Sequence, residues 1–552
     1  MRSTKFFRRM VIIMYIILIS ATLQAQNKQF NHQDSLRGSI TKERRWWDLK
    51  FYHLDIRINP NDSTIHGQNT IRYLVVSPYQ IMQIDLQKPL KITKVTQDSI
   101  PLDILRDGNA WFVKLKKKQK TGAMNQILVE YEGKPVVSKN PPWSGGLSWR
   151  KDSHGKNFIA TTCQGDGASI WWPCKDHQYD EPDSMKISLT IPKGLTGVSN
   201  GRLLKKFDEN DSLTTYEWMV CNPINNYGVN ANIADYVNFS DTYKGLNGDL
   251  TCNYYVLKEN LEKAKVQFRE VNRMLEAFEN WFGPYPFYQD GYKLVEVPYP
   301  GMEHQSSVTY GNLYKNGFGG FDLSRTGWGM KFDFIIVHES AHEWFGNNIT
   351  YKDIADMWIH ESFAAYAECL FVEYWFGKQA GYEYVKGTRA NINNKKPVIG
   401  IYNINYRSPD NDMYYKGANM LHTLRQLVED DRKWNSILKG LNRDFYHQTV
   451  ATEQIENYLS DSLCFDLKPF FNQYLRNTKI PVFEYSVIDS LLEYNWENCV
   501  SGFDFPLKIK LNGQEKWISP TQKRKEMVIE KGAKIEVDPN FYITTKEIKK
   551  EN

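Results

Sequence analysis

Cysteine is scarce in this chain: 7 in 552 residues, at positions 163, 174, 221, 252, 369, 464 and 499. An odd count without tight spacing gives no disulfide framework, although Cys163 and Cys174 are close enough in sequence to pair or to remain as two buried thiols. Net charge is also small. Lys and Arg number 69 against 64 Asp and Glu, and Arg2, Lys5, Arg8 and Arg9 carry four of the five excess charges. Beyond residue 25 the balance falls to 65 against 64, so there is no global basic field for nucleic acid. Long apolar runs are lacking after the first 25 residues, so no stable membrane span is expected in the mature chain. Repeats and low-complexity segments are absent. A 41% hydrophobic and 24% charged composition excludes the disordered and collagen-like classes.

What is present begins with residues 1–25. A basic start, MRSTKFFRR, precedes an apolar stretch at residues 11–23 and the small residue Ala25, which reads as a signal peptide cut after Ala25. The apolar stretch is short against the roughly 20 residues of a bilayer span, which favours cleavage over an uncleaved N-terminal anchor. Export to the periplasm or the exterior follows. Residues 26–45 are polar and are expected to be loose. From Trp47 the pattern alternates: Tyr52, Leu54, Ile56 and Ile58 share a face until Asn59-Pro60-Asn61-Asp62 breaks the run, and residues 46–236 read as a β domain. Leu261, Ala264, Phe268, Val271, Leu275, Phe278 and Phe282 then follow helical spacing, stopped by Gly283-Pro284. A strand at residues 292–297 and a helix-rich stretch from 330 to 477 complete a mixed unit, residues 237–480. Alternation returns at 505–511 and 526–535, giving a small β domain at 481–548. The fold class is therefore multidomain α+β.

Within the mixed unit stands His338-Glu339-Ser340-Ala341-His342. On a helix, residues i and i+4 share one face, so two imidazoles converge on one zinc and the glutamate beside the first of them is placed as general base. A catalytic zinc needs a third protein ligand. Gly346 is a stop signal, the loop at 347–353 can turn the chain, and a second helix beginning near Met357 carries Glu361, with 18 residues between it and His342. A solvated charge is a poor reading for Glu361, because its helix is otherwise apolar and aromatic.

The spacing of these ligands, followed by Trp358-Ile359-His360-Glu361-Ser362-Phe363-Ala364, resembles the gluzincin zinc aminopeptidases of the aminopeptidase N and leukotriene hydrolase type. The family writes W-L-N-E-G-F-A, so His360 and Ser362 depart from it. The resemblance implies a thermolysin-like catalytic domain holding one Zn²⁺ per chain through His338, His342 and Glu361, with Glu339 as base. It reads Glu368 either as an acceptor that orients a ligand histidine or as a plain ion-pair partner. The family's G-x-M-E-N stretch is similar to Gly301-Met302-Glu303-His304, preceded here by Pro300. Gly301, Met302 and Glu303 are thereby implied to bind substrate, with Glu303 gripping the free α-amine and Gln164 adding a second contact. Tyr414, before Lys416-Gly417, matches the family's oxyanion donor, and Tyr415 is its rival, expected to face elsewhere on a helix. Asp180 and Glu181 are expected to be structural turn residues.

The implied activity is zinc-dependent removal of N-terminal residues from peptides with a free N-terminus. The alternatives are a zinc endopeptidase lacking a working amine site and a catalytically inactive peptide-binding homologue. Only 138 residues follow Tyr414, with strand-like alternation at their end, so no helical C-terminal superdomain and an open cleft are expected.

Overall fold

Period-two alternation builds the first half of the chain, because successive strand residues face opposite sides of a sheet. The computed structural model describes residues 30–407 and 410–549; the leader read at residues 1–25 lies outside the described residues. Strand Trp47–Asn59 runs near the middle of an eight-stranded sheet, antiparallel to Thr64–Val75 and parallel to Ser184–Pro192. Tyr52, Leu54, Ile56 and Ile58 all face the core, as the alternation requires. A four-stranded sheet includes Asn157–Thr162, and Gln164 lies just beyond the end of that strand.

The described part of residues 26–45 is not loose. Asn31 caps a short helix, His32–Gly38, in a reciprocal capping box with Asp34. Arg44 is fully buried and donates to Asp85 at 2.5 Å, while Arg37 donates to Asp176 at 3.1 Å. The polar composition misled because these cations find buried carboxylates. The same segment touches a loop about 370 residues further along the chain. The Asn405 amide donates to the Asp34 carbonyl at 3.0 Å, and a side chain at Gly38 would strike the backbone of Ile404 and Asn405.

The mixed unit is organised on a five-stranded sheet in which Tyr292–Glu296 is central and Gly301–Met302 forms one edge. The single helix expected from residue 261 is two, Leu261–Gln267 and Glu270–Phe282, with a turn at Phe268 and Arg269. The apolar stripe survives the break, since Phe268, Val271, Leu275, Phe278 and Phe282 remain buried on one core. Gly283 ends the second helix at a φ of 91°, a conformation other residues rarely adopt.

From Val482 onward every regular element among the described residues is a strand. These strands do not form a separate core. Phe470 of helix Lys468–Leu475 stacks on Phe505 at 4.4 Å, and the Tyr474 hydroxyl donates to the Tyr542 carbonyl at 2.8 Å. All seven cysteines are unpaired, Cys163 and Cys174 as buried thiols. Among the described residues no helix is long and apolar enough to cross a membrane.

Candidate active site

Helix Phe334–Ala341 is apolar on nearly every face and is buried accordingly. Asp333 caps it, accepting the amides of Ile335 and Ile336 at 3.1 and 3.3 Å. His338 and His342 emerge on one side with ring centroids 5.0 Å apart. The helix stops at its second histidine, one turn earlier than Gly346, because the Asn347 amide turns back to the His342 carbonyl at 2.8 Å. Short strand Ile349–Tyr351 pairs with Gln448–Val450, and helix Trp358–Phe376 then brings Glu361 back to the histidines.

Each imidazole has one nitrogen committed. His338 Nδ1 lies 2.6 Å from Glu368 Oε1, whose other oxygen accepts the Tyr384 hydroxyl at 2.7 Å. His342 Nδ1 donates to the Phe345 carbonyl at 3.0 Å, so its Nε2 carries a free lone pair. The two Nε2 atoms stand 3.7 and 3.5 Å from Glu361 Oε2, a buried oxygen with no hydrogen-bond partner. An orphaned buried carboxylate oxygen facing two imidazole lone pairs is a donor set suited to a cation. Tetrahedral ligands about 2.0–2.2 Å from one zinc stand about 3.3–3.6 Å apart, close to these separations. The residues fit zinc. Burial alone would raise the Glu361 pKa, but the two imidazoles outweigh it and hold the carboxyl well below its usual range. Glu339 clusters with Glu303 and His342, and burial, opposed by His338 and reinforced by Glu303, pushes it up to about 7.

The predicted amine-binding pair is also assembled. Gln164 Nε2 donates to Glu303 Oε1 and, at 3.1 Å, to Glu361 Oε1. Asn347 Nδ2 holds the Glu303 backbone carbonyl at 3.0 Å. Burial raises the Glu303 pKa, with His342 opposing. Gly301 has a steric reason: an added Cβ would lie 2.6 Å from Ile335 Cγ2 and 3.2 Å from Glu339 Cγ, so the edge strand rests directly on the motif helix. Met302 takes a 3.0 Å contact from Thr162 Oγ1, joining that strand to the β region. His304 faces Thr309 at 3.3 Å, and burial drives its pKa down to about 3, so it contributes no charge.

Tyr414 stands in the first turn of helix Asp412–Arg425, its ring 6.0 Å from that of His338. Its hydroxyl accepts a hydrogen bond from Arg407 Nη2 at 2.9 Å. Tyr415 lines the same cavity, contrary to the expectation that it faces elsewhere. The departures from the family pattern find structural partners. His360 Nε2 accepts the Tyr351 amide at 3.0 Å, leaving Nδ1 to donate to the Tyr227 hydroxyl at 3.1 Å, so neither nitrogen is available to a metal. Ser362 Oγ donates to the Met413 carbonyl at 2.6 Å, and an added Cβ on Gly417 would meet that oxygen at 1.7 Å. Asp180 is a structural turn residue, accepting from Lys175 Nζ and, at 3.2 Å, from the Leu49 amide.

These groups line a cavity of about 260 Å³, together with Trp143, Arg407 and Asn411 and with the apolar Phe318, Leu323, Phe334 and Ile335. Sequence reasoning missed both sets. Arg407 lies in a turn-rich stretch without periodicity, and its only signal is its position seven residues before Tyr414.

Among known proteins, the profile described as the Peptidase M1 N-terminal domain matches residues 49–227, and that of the Peptidase family M1 domain matches residues 266–474. Leucyl aminopeptidase of Saccharolobus solfataricus is 22% identical over 469 residues, covering 81% of this chain and 57% of its own length. Endoplasmic reticulum aminopeptidase 1 of Mus musculus is 23% identical, covering 79% and 49%, and aminopeptidase N of Lactococcus lactis subsp. lactis is 22% identical, covering 84% and 56%. The chain thus spans about half the length of the curated relatives it matches. A mutant M1 zinc metallopeptidase from Deinococcus radiodurans, solved with a Tyr-Ser-Ala substrate, superposes with a TM-score of 0.65 at 19% identity, covering 78% of this chain and 95% of that one.

Proposed function

This chain belongs to peptidase family M1, and from that premise we propose that it is a zinc-dependent aminopeptidase, removing the first residue from peptides with a free N-terminus. The observation that carries the reading is the meeting, in one cavity, of a three-ligand metal set and a buried carboxylate–amide pair, Glu303 with Gln164. The first suits hydrolysis; the second suits an ammonium, which needs an anionic partner when buried.

His338, His342 and Glu361 would hold the zinc. When bound, zinc supplies the Lewis acidity that polarises a scissile carbonyl and acidifies a water. Glu339 accepts the proton of that water and returns it to the departing amine, a task that favours a pKa near the working pH. Tyr414 stabilises the oxyanion. Its oxygen accepts a hydrogen bond from Arg407, which turns its own hydrogen away from that contact and toward the carboxylate side of the cavity, where it can donate. Glu303 and Gln164 fix the N-terminus one residue from the cut. Gly301 keeps the edge strand low against the motif helix and leaves room for an extended peptide backbone. Export, read from residues 1–25, belongs to the same proposal and is checked by N-terminal sequencing of the secreted protein.

The test is a panel of aminoacyl chromogenic substrates with and without N-acetylation, run before and after chelation. Free-amine substrates should be cleaved, acetylated ones should not, and zinc should restore chelated enzyme. Glu303→Ala should narrow the gap between free and blocked forms. Equal cleavage of both forms by the native enzyme would favour an endopeptidase, and no turnover of either a binding protein.

A further inference from the structure

The aminopeptidase reading leaves one charged group of the cleft without an assignment. Arg407 lines the main cavity and also an adjoining one of about 470 Å³, which shares Trp143, Gln164 and Asn411 with it. Among the described residues no carboxylate forms an ion pair with Arg407 within 4.0 Å, and its one hydrogen bond, from Nη2 to Tyr414, leaves Nε and Nη1 without a partner. Of the other charged groups of the adjoining cavity, Arg37 is ion-paired, while the Asp34 and Asp166 carboxylates accept backbone amides. Arg37 donates to Asp176 at 3.1 Å and to the Asp166 carbonyl at 2.6 Å. Asp166 accepts the Gly145 amide at 2.5 Å, and Asp34 accepts the Asn31 amide at 2.9 Å.

Glu361 and Glu303 favour the charged guanidinium from across the working site, yet neither forms an ion pair with it, so its remaining donors stay open to a ligand in a sheltered place.

Its position relative to the first substrate residue follows from its neighbours. An ideal Cβ on Gly165, next to the amine-binding Gln164, would lie 3.0 Å from Arg407 Cδ. The opposite end of Arg407 touches Tyr414, the oxyanion donor. Arg407 therefore spans the interval between the amine and the scissile carbonyl, which is the interval occupied by the first residue. The rest of the main cavity's lining includes the uncharged Gly301, Ile335, Phe334, Phe318 and Leu323.

Resting on the aminopeptidase reading, we propose that the cavity beside Arg407 receives the side chain of the first residue, and that Arg407 selects a carboxylate there, making Glu and Asp the preferred N-terminal residues. A guanidinium presents planar donors that match a carboxylate, and a charge-assisted pair in a sheltered pocket discriminates against the neutral amide of the same shape.

The experiment compares substrates that differ only in that charge. For the native enzyme, kcat/KM for glutamyl and aspartyl substrates should exceed that for glutaminyl and asparaginyl ones by at least about tenfold, the factor set by one charge-assisted contact. Arg407→Gln should bring both ratios close to one, and Arg407→Lys should keep part of the preference. Calorimetry on the native holoenzyme gives a second readout: free L-glutamate should bind more tightly than L-glutamine, and the difference should vanish in Arg407→Gln. A native ratio of one or less overturns the proposal. So does an Arg407→Gln enzyme that loses the same factor on acidic and amide substrates, since Arg407 would then act through Tyr414 alone. Cleavage of blocked peptides with no turnover of any free-amine substrate overturns the aminopeptidase reading, and the inference with it.

Discussion

The two walls of the cleft are built differently. On one wall, His338, Glu339, His342, Glu361 and Tyr414 project from helices, and the first four are buried. On the other, Gln164, Glu303 and Arg407 sit on loops, two of them just past strand ends. A helix sets the separation of its side chains by its own pitch, so groups that must share one ion are positioned by local structure. A loop takes its position from distant contacts, such as Asn347 on the Glu303 carbonyl or the N-terminal segment against Ile404 and Asn405. The helical wall is suited to chemistry that tolerates little displacement, and the loop wall to recognition, which can vary while the chemistry is kept.

The contrast can be broken most severely at the metal set. His338→Ala or Glu361→Ala should strip the zinc and abolish turnover, since each removes one of three ligands; metal analysis of the purified variants checks it. Stoichiometric zinc with full activity would remove the helical wall from the chemistry. Next, Glu339→Gln should retain zinc while kcat falls by about 10²-fold or more, and Tyr414→Phe should cost about 10²–10³-fold in kcat. Near-normal turnover in either would move that role to another group. A smaller effect is expected one layer back. Glu368→Gln loses the anionic acceptor on His338 and should weaken zinc about 10–100-fold, measured by competition with a chelator. The smallest effect sharpens how the helices of this wall are held. Gly417→Ala drives a methyl into Ser362 Oγ and should cost about 1–3 kcal/mol in thermal unfolding. Adding Ser362→Gly should return part of that loss; strict additivity would mean the two positions do not touch.

The same contrast decides what could be read beforehand. Helical spacing of four, then 18 residues to Glu361, made the metal set visible, because pitch and spacing are written in the sequence. Alternation made the Trp47–Asn59 strand visible for the same reason. Glu303, Gln164 and Tyr414 were legible only through family resemblance, which carries loop positions that periodicity cannot. Arg407 was hidden from both, lying in a loop placed by residues about 370 positions away. The break at Phe268 escaped notice because a tight turn preserves the apolar stripe that marks a helix. Burial of Arg44 escaped notice because its partner, Asp85, is 41 positions distant.

The contact between Asp34 and Asn405 carries a consequence for the order of events in synthesis. The ribosome makes residue 34 about 370 residues before residue 405, yet the loop bearing Arg407 has its seat only when the two meet. Such a closure cannot proceed vectorially from the N-terminus; it belongs among the late steps, after most of the chain has emerged. The recognition wall is thus completed late, with the early-made segment around Asp34 as its final piece. A chain that lacks the segment around Asp34 would hold the metal ligands of its helices without a seated loop to choose what they cut.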